Sequence, residues 1–134
     1  MSDELLKLAD AVECYKVEGP WDIARDRERD LNERIAIAAG VPCTVRVGHP
    51  ALGDERTIPA RIPAYTASLD AAMTLVPEGR FVGALNQCDT DGEWYARIEA
   101  HDAVYEDATA TTAALALTTA SLRARASHLR MEVE

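Results

Sequence analysis

The dipeptide Asp91-Gly92 constrains this chain more than any other pair of residues. It lies between "RFVGALNQ" and "EWYARIEA", and Asp-Gly supplies the positive φ that a tight turn between right-twisted strands requires. The segment therefore predicts an antiparallel hairpin. Trp94, Ala96 and Ile98 fall on one face of its second strand, and Phe81 and Leu85 are expected to face the same way from the first. Tyr95, Arg97 and Glu99 point to the opposite side. Trp94 is expected to be largely buried.

Helices flank this hairpin. "SDELLKLADAVECYKV" reads as about four helical turns, with Leu5, Leu8, Ala9 and Val12 at helical spacing and Asp3 and Glu4 near the positive N-terminus. "WDIARDRERDLNERIAIAAG" begins charged and becomes apolar on one face through Leu31, Ile35 and Ala38. Gly40 suits the position after its last turn, and Pro42 blocks continuation. The alternating signs of "RDRERD" describe a solvated, self-paired helix face. The segment "TAALALTTASLRARASHLR" predicts a long final helix with a stripe through Leu115, Thr119, Leu122, Ala126 and Leu129.

Between Pro42 and Pro63 the period changes to two. Cys43, Val45 and Val47 alternate with Thr44 and Arg46, and Ile58, Ala60 and Ile62 repeat the pattern, predicting a second hairpin. Pro59 cannot donate to a ladder and confines its strand to an edge or a bulge. "PAYTASLDAAMTLVPEG" then predicts a short helix. Thr66 is expected as its N-cap, Leu69, Ala72, Met73 and Val76 as its buried face, and Pro77 and Gly79 as its stop.

The 134 residues fit one domain, 1–134, and their net charge is −9. Residues 1–33 hold ten acidic against five basic side chains, and residues 78–107 hold eight against two. Such a field repels phosphate backbones, which disfavours direct nucleic-acid binding, so none is expected, and it suits a basic protein surface. No apolar run is long enough to span a bilayer, and "MSDELLKLAD" lacks the basic and apolar blocks of a signal peptide. These features imply a cytoplasmic protein without membrane contact.

Cys14, Cys43 and Cys88 show no metal-ligand or disulfide spacing, so free thiols and no metal site are expected. "DTDG" fits a calcium loop in neither register, because the glycine and the bidentate carboxylate never fall in place together. No phosphate-binding loop, dinucleotide fingerprint or nucleophile elbow occurs. The expectation is a non-enzymatic chain with no catalytic residues and no cofactor.

"LLKLADAVE", "RIAIAAG", "PAYTASLDAAMTLVPEG", "GEWYARIEA" and "LALTTASLRARA" together resemble the phage ABA sandwich domain family, small proteins encoded by tailed phages and prophages. The resemblance covers most of the chain and implies helices on both sides of a sheet. It carries no activity and no catalytic residue. Combined with the periodicities, it predicts an α+β fold in the order α-α-β-β-α-β-β-α. Two hairpins would form an antiparallel sheet of three to four strands packed with about four helices. The third and fourth helices are expected on the Trp94 face and the N-terminal pair over part of the other.

Function is expected to lie in binding a host protein with a basic surface, as an accessory protein that mimics nucleic-acid charge against a host defence. The candidate residues are Asp89, Asp91, Glu93, Glu99 and Asp102, gathered in the acidic hairpin and just after it. Two alternatives are a binder of a small nucleotide signal, using Arg46, Arg56 and Arg61, and a structural or assembly component of a phage particle.

Overall fold

The computed structural model describes residues 2–15, 21–88, 92–101 and 104–133. Helices α1 (Ser2–Glu13) and α2 (Trp21–Ala38) precede a hairpin of β1 (Thr44–Val47) and β2 (Arg56–Pro59). A short helix α3 (Leu69–Met73) leads into β3 (Arg80–Gln87), β4 (Trp94–Ala100) and β5 (Tyr105–Ala110), and α4 (Ala113–Val133) follows. The fold is α+β, with two antiparallel sheets ordered β1-β2 and β3-β4-β5.

Helices α1 and α3 and the β3-β4-β5 sheet pack around α4. Thr112 starts it, its Oγ1 accepting from the Leu115 N–H at 3.2 Å. Every side chain from Ala114 to Leu122 is buried, as are Ala124 and Ala126. The predicted Leu115–Thr119–Leu122–Ala126 stripe is therefore buried, and so is the rest of the circumference; the Leu129 side chain lies outside the described residues. Two buried hydroxyls find partners: Thr118 donates to the Tyr65 carbonyl at 2.9 Å, and Thr119 to the Leu115 carbonyl at 2.8 Å. One side of α4 lies on β4 and β5, another on α1, and α3 closes a third. Ala96, Ala108 and Ala110 on the sheet face the alanine-rich helix in one core. Small side chains on both surfaces let the two backbones approach.

The stripe Leu5, Leu8, Ala9, Val12 of α1 is buried as expected. The buried face of α2 is Leu31, Asn32, Ile35 and Ala36, whereas Ala38 is exposed. Gly40, at φ 78°, ends this helix: its N–H bonds the Ile37 carbonyl at 3.1 Å and the Val41 N–H bonds that of Ala36 at 2.9 Å.

The helix in residues 63–79 is displaced from its expected register. Ser68, not Thr66, is its N-cap, with Oγ 3.3 Å from the Ala71 nitrogen. Thr66 is buried instead: its N–H donates to Asn32 Oδ1 at 3.1 Å, and its hydroxyl lies 3.0 Å from Glu28 Oε1. Leu69 and Met73 turn outward, at 40% and 47% exposure, whereas Ala72 is buried as expected and Leu75 joins it in the core. Tyr65 is the largest fully buried side chain. The Arg125 Nε–H donates to the Leu75 carbonyl at 2.7 Å, fastening the end of this segment to α4.

In the main sheet, Leu85 pairs with Ala96 and Val82 with Ile98, so both face α4. Phe81 pairs with Glu99 on the opposite side, because a bulge between Val82 and Ala84 shifts the alternation by one residue. Trp94 packs against the core at the hairpin end of this face without being fully buried. The strand β5 has no counterpart in the expected order. The N-terminal pair does not cover the second face: α1 packs on α4 and touches only the β5 end of the sheet, and α2 touches α1. Among the described elements, no helix lies on that side.

This register sets a stability contrast. Ile98→Ala, at a fully buried position, should cost about 2–5 kcal/mol in chemical denaturation. Phe81→Ala, on the uncovered side, should cost less than about 1 kcal/mol. Equal losses would contradict the bulge.

Candidate functional site

Because β4 is the middle strand, pairing on both sides fixes what the uncovered face presents. Three rows result: Phe81–Glu99–Tyr105, Ala84–Arg97–Asp107 and Asn86–Tyr95–Thr109. Their side chains engage one another diagonally. The Arg97 guanidinium carbon stands 5.5 Å from the centre of the Tyr105 ring, and its Nε is 3.7 Å from Glu99 Oε1. The Tyr95 hydroxyl donates to Asp107 Oδ2 at 3.1 Å, and Phe81 meets the His101 ring at 5.4 Å between centroids. Gly83, in the bulge, makes room for this arrangement, since a Cβ there would overlap the Glu99 carboxylate.

Large apolar surfaces remain open on this face. Phe81 is 43% and Tyr105 52% exposed. Two carboxylates, Glu99 and Asp107, stand in these rows against one guanidinium, Arg97. The face thus combines exposed aromatic rings, an arginine set over one of them and an excess of carboxylate over guanidinium groups.

At the β5 edge the face continues into a cleft of about 190 Å³ lined by Glu13, Tyr95, Asp107, Ala108, Thr109 and Arg123. Arg123 bonds Glu13 Oε2 at 3.0 Å, Asp10 Oδ1 at 3.4 Å and the Asp107 carbonyl at 3.0 Å. Burial works against its charge, but the hydrogen bond and the charge of Glu13, with Asp10 behind them, hold its pKa above the ordinary value. Arg123 thus ties α1, α4 and β5 together and covers one outward carbonyl of the edge strand.

The expected acidic site is only partly brought together. Asp89, Asp91 and Asp102 lie outside the described residues. The Glu93 carbonyl accepts from the Cys88 N–H at 2.7 Å and closes the hairpin next to Gly92, whose φ is 74°. Glu99 lies at the other end of β4, paired with Arg97 over the bulge. Asp107 belongs to the face through β5, which sequence periodicity did not reveal. Arg46 and Arg56 emerge on opposite faces of the β1–β2 hairpin, and Arg46 is ion-paired with Glu55.

No family model, curated protein or solved structure matches the chain. No helix among the described residues is long and apolar enough to cross a membrane, and no cluster of potential metal ligands occurs among them.

The Tyr95–Asp107 contact has a spectroscopic consequence. Burial, then the hydrogen bond and charge of Asp107, raise the Tyr95 pKa above 10.0. Asp107→Asn removes the second contribution and leaves the first, so phenolate absorbance from Tyr95 should appear at lower pH in the variant. An unchanged tyrosine titration would show that the two side chains do not meet in solution.

Proposed function

We propose that this chain is a small protein-binding module whose uncovered sheet face receives a basic surface of a partner. The family resemblance adds an origin in a phage or prophage, and with it a host protein, such as one of its defence components, as the partner. The observation that carries the reading is the three-row face of β3, β4 and β5, aromatic, rich in carboxylates and uncovered by any described helix. The net charge of −9 supports it from a distance, because it speeds encounter with basic surfaces and repels nucleic acid. Asp89, Asp91 and Glu93 before β4 and Asp102 after it add to the same acidic balance along the sequence.

Capture from bacterial lysate at low and high salt tests the reading. A partner held through this face should be lost from Glu99→Gln/Asp107→Asn and weakened by added salt, with association slowed more than dissociation is accelerated. Asp89→Asn/Glu93→Gln should leave stability within about 0.5 kcal/mol of the parent and reduce capture to a smaller extent. Capture indifferent to both pairs of changes would remove the face from the function.

A further inference from the structure

The β1–β2 hairpin is the second surface that the fold leaves uncovered. Its strands pair only with one another, and no other described helix or strand packs on them. Only its base is anchored, where Cys43 and Ile62 rest on the core. An isolated two-stranded hairpin is at best marginally stable in water. This one also shows a sided pattern. Val45 pairs with Ile58 and Val47 with Arg56, which places these four side chains on one face, and Thr44, Arg46, Thr57 and Pro59 on the other. Val45 is 44% and Ile58 37% exposed.

Charge distinguishes this arm from the rest of the molecule. Arg46 and Glu55 satisfy each other, and Asp54 accepts from the His49 N–H at 2.8 Å. Arg56 stands beside Val45 and Ile58 with no carboxylate partner among the described residues. The sheet face offers the complement: Phe81 and Tyr105 uncovered, with Glu99 and Asp107 in the adjoining positions. The two surfaces make no contact within one chain. Arm-to-arm pairing would set Arg56 against its own copy, which like-charge repulsion disfavours.

We infer that the β1–β2 arm of one copy docks on the open sheet face of a second copy, Val45 and Ile58 covering Phe81 and Tyr105, with Arg56 beside Glu99 and Asp107. The inference rests on the reading of that face as a protein-binding surface and assigns it a second copy of the chain in the absence of a host partner, which would compete for the same face. The arm thereby gains the apolar cover it lacks, and the face gains a basic group.

Sedimentation of the full chain across micromolar concentrations tests this docking. The parent should associate, and Val45→Thr/Ile58→Thr, which keeps strand-forming residues, should weaken association at least about thirtyfold. Phe81→Thr/Tyr105→Thr should do the same from the other side. Arg56→Glu provides an arm variant that leaves the apolar pair intact, and circular dichroism confirms that each variant is folded. The decisive step is mixing. An arm variant and a face variant, each impaired alone, should form a mixed dimer, because one intact arm then meets one intact face. A parent that stays monomeric, or a mixture no better than its components, overturns the inference. Should the parent be monomeric while capture from lysate still depends on Glu99 and Asp107, docking between copies fails and the protein-binding reading stands. Failure of both measurements removes both.

Discussion

Burial of α4 on nearly every side is the constraint from which the rest of the architecture follows. A helix lying on a sheet needs one apolar face, but this one also receives α1 and α3, so Thr118, Thr119 and Ser121 go inside with the alanines and leucines. Interiors packed at crystal-like density tolerate little change in volume. The alanines of α4 opposite Ala96, Ala108 and Ala110 are therefore a requirement of close approach, not a filler composition. With the helices committed to that side, one sheet face is left over, and the candidate site occupies it.

Local rules written in the sequence were the readily readable ones. The Asp-Gly hairpin, the α1 stripe, the glycine stop at Gly40, the edge position of Pro59 and the overall α+β class needed only neighbouring residues to specify them. What escaped depended on distant partners. Thr66 has the chemistry of an N-cap, but Asn32 and Glu28 claim it, and the helix starts two residues later at Ser68. The single-residue bulge at Gly83 leaves no mark on periodicity, yet it decides that Phe81 faces out and Val82 faces in. The strand "YEDATA" is acidic and alanine-rich, with a strand identity supplied by the β4 ladder and α4 and not by intrinsic preference.

The candidate site was visible in the same uneven way. Glu99 and the acidic balance of residues 78–107 could be read directly. The grouping of Glu99 with Arg97, Tyr105 and Asp107 could not, because it needs β5 in place beside β4. Cation, ring and carboxylate on that face restrain one another, so these side chains would have less rotamer freedom to lose in any contact.

The ties made by Arg123 also bear on how the molecule comes into being. Its contact with Asp10 spans 113 residues of sequence, and the apolar stripe of α1 is covered chiefly by the same late helix. While the chain leaves the ribosome, Leu5, Leu8 and Val12 therefore have little to pack against until nearly all of the fold has been made. Contacts of such long separation delay folding and prolong exposure of apolar surface. Helix α1, made before α2 through β5, is sheltered only after them.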